Sequence, residues 1–336
     1  MVIAGPSGGA LLFCGAPCAV RSICPFILTH RFQRPIAFLC LALSMSLVGV
    51  YVALSKPLVA AIPVFLLGWM RFGIAAVAMA GWLKKPASEG PLDRRTRILL
   101  FFESFLGNFL FSICMLFGVS MTSTVSAGVI LAAIPAVSAL MSGVFLKERM
   151  GLRIWLAVAC GALGMAMLSL AKQAPGTTLS AADADSALWG NLLVFGAVVC
   201  EAAYIVIGKR LTANISPKRI AAVINLIGFA LMTPAGLYYA LQFDFAAVQT
   251  QSWELLVFYA IAASVGTVWL WMTGLQTIPA AQAGVFSVML PVTAAAIGAL
   301  FLHESFSAVQ AGAFAVALFG LLLATLPGRR APAASI

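Results

Sequence analysis

GVSMTSTVSAGVILAAIPAVSALMSGVFLKE, residues 118–148, and GLQTIPAAQAGVFSVMLPVTAAAIGALFLHE, residues 274–304, align without a gap at an offset of 156. Identical pairs include Gly118/Gly274, Ala127/Ala283, Gly128/Gly284, Val129/Val285, Pro135/Pro291, Ala139/Ala295, Phe145/Phe301, Leu146/Leu302 and Glu148/Glu304. Apolar composition alone returns several of the Ala, Leu and Val matches. It does not readily return a paired glycine, a mid-segment proline and a terminal glutamate in one register, so the chain carries an internal duplication. A second echo, at an offset of 153, joins Tyr51, Lys56, Leu58, Ala60 and Ile62 to Tyr204, Lys209, Leu211, Ala213 and Ile215.

Each copy contains an apolar stretch of about 20 residues, the length a helix needs to cross a hydrocarbon core of roughly 30 Å. Comparable stretches fill the rest of the chain, at 36–54, 62–82, 98–118, 152–170, 188–207, 220–240, 255–274 and 308–326, with 124–146 and 281–302 inside the copies. Hydrophobic residues make up 62% of 336 positions and charged residues 9%, against roughly a quarter charged in a soluble domain. Without ten-residue alternation there is no barrel pattern, and helices are the remaining way to satisfy a backbone in lipid. The expected fold is an all-α integral membrane protein of ten transmembrane helices. Its expected organisation is a cytoplasmic tail over 1–35, five helices over 36–171, an extracytoplasmic linker over 172–187, five helices over 188–326 and a cytoplasmic tail over 327–336. The first 35 residues read either as a flexible tail or as the product of an early start codon.

Five spans per copy is an odd number, so the second copy enters the membrane from the opposite side. Two such inverted halves can close either face with the same packing, a device for alternating access. Charge gives the orientation: of the 20 Lys and Arg, all but Lys56, Lys172 and Arg71 fall in segments on one side, which is then the cytoplasmic side with both termini. The net charge of +10 is thereby explained by topology in the inner (plasma) membrane. It forms no basic patch with interleaved aromatics, and no nucleic-acid partner is expected.

The runs IPAVSALMSGVFLKE ending at Glu148 and LPVTAAAIGALFLHE ending at Glu304, with WMRFGIAAVAM around Arg71, resemble the drug/metabolite transporter (DMT) superfamily, specifically its EamA-type ten-helix members. The resemblance spans both five-helix units. It implies five-plus-five topology, a central cavity between the halves and, for many members, export of small metabolites.

Several side chains are candidates for the work. Glu201 lies deep in the sixth span, where a charge costs roughly 2.5–3.5 kcal/mol on insertion scales. It reads as a proton-coupling or amine-binding carboxyl, or as an ion-pair partner of Arg71. Arg71 is central in the second span and reads as a fork for a substrate carboxylate or as a lock on Glu201 or Glu103. Glu103 is expected nearer the inner interface and solvated. Trp269 and Trp271 fall on opposite sides of one turn, so at most one faces the cavity, and Tyr204 and Asn108 complete the polar candidates. Pro135 and Pro291, with Gly128 and Gly284, are candidate gating kinks, Pro135 clashing with the Leu131 carbonyl. Glu148 and Glu304 read as structural helix-end residues, each favoured by the amino-terminal dipole of the helix that follows it. Lys56 and Lys209 read as interfacial anchors.

No Walker-type phosphate loop occurs, and the two histidines and seven cysteines show neither metal-ligand spacing nor a nucleophile–base pair. The expectation is therefore a secondary transporter without catalytic residues, metal or cofactor. Its partners are a small-molecule substrate, protons as a candidate coupling ion and the lipid bilayer. A passive channel, a membrane scaffold and a membrane-embedded enzyme are the competing classes.

Overall fold

The computed structural model describes residues 24–54, 58, 61–86, 89–121, 127, 130–148, 150–170, 181–290, 292–293, 296 and 308–326. Lys56, Gly128, Pro291 and Glu304 lie outside these residues. The described backbone is helical, with no strand. In chain order the α-helices are α1 (Cys24–Leu54), α2 (Val64–Ala78), α3 (Arg94–Ser104), α4 (Phe111–Met121), α5 (Ile134–Met141), α6 (Leu152–Leu170), α7 (Ala181–Leu211), α8 (Pro217–Ala240), α9 (Thr250–Ala260), α10 (Thr267–Thr277), α11 (Ala280–Val285) and α12 (Ala308–Thr325).

Among the described residues, five stretches are long and apolar enough to cross a bilayer: Gln33–Tyr51, Arg94–Met115, Leu188–Leu211, Pro217–Ala240 and Thr250–Thr277. Val64–Ala78, Ile134–Leu146, Leu152–Met167 and Ala311–Thr325 are shorter and equally apolar. Helix α1 begins before the expected span and contains Pro35. A π-helical segment, Phe105–Leu110, joins α3 to α4, and a second, Ile261–Gly266, joins α9 to α10. The offset of 156 carries one onto the other residue for residue.

The heaviest helix pairings correspond to one another at the offset of the sequence repeat. Packing is heaviest for α6 with α12 and α2 with α8, pairs that map onto themselves, and for α1 with α10 and α4 with α7, which map onto each other. Contacts of α3 with α8 and α9 with α2 are likewise counterparts. Hydrocarbon gives apolar faces no reason to seek one another, so close backbone approach has to supply the attraction. Gly118 provides it in one half. A Cβ there would lie 2.8 Å from Val194 and 3.1 Å from the Gly190 carbonyl. Gly274 provides it in the other, where a Cβ would lie 2.5 Å from Leu41 and 3.0 Å from the Ala37 carbonyl. Ala37 and Leu41 precede Gly190 and Val194 by the same 153 residues as Tyr51 precedes Tyr204.

Helix α5 does not kink around Pro135. The chain turns at Ala132 and Ala133, and a fresh helix starts at Ile134 with Pro135 in its first turn, where its missing N–H leaves no bond unmade. Proline here follows a break instead of bending a continuous helix. Helix α5 ends in a π turn, Ser142–Leu146, stopped by Lys147 in the left-handed region at φ 54°.

Four connections meet on one face. Glu89, in the loop after α2, pairs with Arg219 at 2.6 Å and accepts from the Ser216 amide at 2.8 Å. Burial of Glu89 opposes its charge, but the hydrogen bonds from Ser216 and Arg219 outweigh it and hold the carboxyl below its usual range. Glu148 accepts from the Ala280 amide at 2.9 Å and the Ala281 amide at 3.1 Å, with Ser142 bonded to the same carboxylate. It therefore caps α11, in the opposite half, and not the helix next in sequence, because the Lys147 reversal turns it across the bundle. Lys209 donates to the carbonyls of Leu275 at 2.7 Å and Gln276 at 3.2 Å, which close α10. A lysine at a helix carboxyl end satisfies carbonyls that lack intrahelical donors, so Lys209 is a cap and not merely an anchor.

Candidate functional site

Arg71 stands near the middle of α2, too far from either end to reach water easily. Its guanidinium lies 4.4 Å from the Phe72 ring centroid and 5.7 Å from that of Tyr259, and its Nη1 donates to the Tyr259 hydroxyl at 3.4 Å. Tyr51 meets Tyr259 edge to face with centroids 5.4 Å apart. No ion pair joins Arg71 to Glu201 or Glu103 among the described residues. Aromatic faces hold the cation instead, and its Nε is buried without a partner.

Across the site, α3 and α7 supply the acids. Glu103 is fully buried, and neither of its carboxylate oxygens has a hydrogen-bond partner. This overturns the expectation of a solvated interfacial residue: α7 and α8 pack over the inner part of α3, so nearness to Arg94, Arg95 and Arg97 in sequence does not bring water. One Glu103 oxygen lies against Gly208. Glu201, half-buried on α7, is within electrostatic reach of Glu103, Tyr204 and Tyr51. Tyr204 packs directly on Gly107 in the first π segment. Tyr51 feels both Arg71 and Glu201 and so links the cationic and acidic sides into one site.

The π segments edge this site. A π turn widens the helix by one residue and frees carbonyls from the regular ladder, and such turns recur at functional positions. Asn225 on α8 donates to the Ser264 carbonyl at 3.0 Å, and Thr267 donates to the Ala262 carbonyl at 2.9 Å. The side-chain Nδ2 of Asn108 and Oγ of Ser264, at matching positions of the two segments, are both buried and unpartnered. With Arg71 Nε, both Glu103 oxygens and Trp271 Nε1 they make up the orphaned buried side-chain atoms among the described residues, Arg219 Nε apart. A buried polar group without a partner costs about 1–3 kcal/mol, more when charged. Each marks a position with unmet hydrogen-bonding capacity on α2, α3, α10 or a π segment.

The remaining candidates sort themselves around this centre. Trp271 is 1% exposed within the main core, whereas Trp269 is half-buried against Trp82, with centroids 6.1 Å apart. Gly284 is the crossing point of α11 over α5, since a Cβ there would lie 2.8 Å from that of Ser138. Tyr259 and Ser264 escaped the sequence reading, and Tyr51 entered it only as the repeat partner of Tyr204. The offset of 156 was the available signal, because it pairs Tyr259 with Glu103 and Ser264 with Asn108.

Residues 35–170 and 188–326 each match the EamA-like transporter family. The chain is 32% identical over 295 residues to the uncharacterized transporter YetK of Bacillus subtilis (strain 168), covering 86% of this chain and 87% of that protein. It is 24% identical over 225 residues to the uncharacterized transporter YyaM of the same organism, covering 66% of this chain and 72% of that protein. A protein of known crystal structure shares the fold, with a TM-score of 0.71 at 19% identity over 87% of this chain and 97% of the other. A helical membrane protein with a polar centre, matched over both halves by one transporter family, belongs to that family: the chain is a member of the EamA-like transporters of the DMT superfamily.

Proposed function

We propose that the chain is a secondary exporter of small metabolites, amino acids or related amines, working by alternating access of two inverted five-helix halves. The observation that carries this is the cluster of orphaned buried polar atoms, drawn from α2 and α3 of the first half and α10 of the second. A guanidinium without an acid on one side and carboxyls without a cation on the other suit a small solute bearing both charges. Three features support inversion: heaviest helix pairings that correspond at the repeat offset, matching glycine crossings, and π segments at the same place in each.

In this reading ten helices span the inner membrane and both termini are cytoplasmic. The units are the tail 1–35, the halves 36–171 and 188–326, the outer linker 172–187 and the tail 327–336. The face closed by Glu89, Glu148 and Lys209 collects most of the basic loops and is the cytoplasmic one. The halves rock about the polar centre, and protons are the coupling ion.

The test is an export screen. Cells overproducing the protein are compared for resistance to toxic amino acid analogues and to organic cations. Arg71→Ala is expected to abolish the resistance, and Glu201→Gln to remove its dependence on the pH gradient while leaving folding intact. Resistance unaltered by both substitutions would remove these residues from the mechanism. A channel would instead give flux in proteoliposomes without saturation or counterflow.

A further inference from the structure

Glu103 enters the exporter reading only as one of the unpaired carboxyls, yet among the described residues it is the one acid with both oxygens buried and unpartnered. It is fully buried, and neither oxygen accepts a hydrogen bond. Helix α7 brings Glu201, Tyr204 and Gly208 to it, and α10 brings Met272 and Leu275 near Gly208. Helix α8 packs on α3 through Ile224, whose carbonyl accepts from Ser104 at 2.7 Å, and neither Ile224 nor Asn225 ionises. Among the described residues no cation pairs with Glu103, since Arg71 is engaged with Tyr259 and Phe72.

A carboxylate in such a place has neither donors nor countercharge, and Glu201 adds a second negative group within its field. Two bare anions do not share a volume bounded by hydrocarbon. The arrangement becomes consistent when a proton sits on the sealed member of the pair, while the half-buried Glu201 is the more accessible of the two.

We propose that Glu103 is the proton-binding residue of the transport cycle and that Glu201 is the group through which the proton enters and leaves. Hydronium in the cavity gives a proton to the Glu201 carboxylate, leaving water. Transfer to a Glu103 oxygen breaks the new O–H bond and forms another, restoring Glu201 as an anion. Release runs the same steps backwards into water on the opposite face, so one proton crosses per cycle with no change of oxidation state. Use of that proton in a cycle rests on the exporter reading; the binding site itself rests on the burial and missing partners of Glu103.

Infrared difference spectroscopy of the full-length protein in lipid nanodiscs, stepped from acid to alkaline pH, reads the site without any substrate. The expected signature is the C=O stretch of a carboxylic acid free of hydrogen bonds, persisting at neutral pH. It is lost in Glu103→Gln, shifted in frequency in Glu103→Asp and retained in Glu201→Gln. A wild-type spectrum lacking that band, or its survival in Glu103→Gln, overturns the proposal. If the Gln variant does not fold, an unshifted band in Glu103→Asp does the same. In proteoliposomes, accumulation of a radiolabelled amino acid mixture driven by a pH gradient is expected to be lost in Glu103→Gln, and accumulation equal to wild type refutes the coupling. Absence of flux in the wild type for every amino acid would defeat the exporter reading while leaving the infrared band to decide the proton site.

Discussion

The two π segments are the same backbone device in different company. Phe105–Leu110 has an unpaired carboxyl, Glu103, two residues ahead of it and the Tyr204 ring on its glycine. Ile261–Gly266 has Tyr259 two residues ahead of it, bonded to Arg71. Position for position, Glu103 answers to Tyr259 and Asn108 to Ser264, so the same backbone device is preceded by a carboxyl in one copy and by a hydroxyl bonded to Arg71 in the other. Backbone geometry sets where the site lies, and side chains set what it distinguishes.

Breaking the geometry on either flank should have the largest effect. Deleting Leu106, or its counterpart Ala262, turns a π segment into regular helix and withdraws the freed carbonyls. Transport measured by counterflow should fall roughly 100-fold in both, the scale on which a displacement of roughly 1 Å acts on a reacting site. A deletion tolerated on one flank only would mean that the flanks do not share their task. The glycine crossings sharpen the same comparison at smaller scale. Gly118→Leu and Gly274→Leu should each lower stability by about 1–3 kcal/mol, read as a fall in thermal midpoint in detergent. Opposite effects in the two would contradict equivalent packing of the halves.

The Glu89–Arg219 clasp has no such symmetry requirement, and its effect is smallest. Glu89 is held below the usual carboxylate range by Ser216 and Arg219, so it gains stability above that range and loses it as pH falls through the depressed value. The contribution is about 1 kcal/mol, that of hydrogen bonds between two largely shielded side chains. Arg219→Ala should move the titration of Glu89 up toward an ordinary carboxylate, followed by NMR of a selectively labelled glutamate.

Much of this was legible in the chain itself. Apolar runs of bilayer length, the 118–148 and 274–304 copies and the isolated mid-span Arg71 and Glu201 need only solvent physics to be noticed. The π segments were not legible, because a single extra residue per turn leaves the hydrophobic pattern of an all-apolar helix unchanged. Glu103 misled for a related reason: its distance from Arg97 suggested an interface, but burial depends on the α7 and α8 residues that cover it. Glu148 shows the limit of local rules. The dipole argument assigned it to the helix that follows in sequence, whereas the tertiary fold sets it on the amino terminus of α11.

That grip has a thermodynamic side. Glu148 and Lys209 hold the two ends of the turn between α10 and α11 by main-chain amides and carbonyls. Were the turn to swing away, every group released would be one that a water molecule can take up at once, at little enthalpic loss. Such a contact can part without stranding a donor or acceptor, so its loss costs little beyond the ordering of the turn.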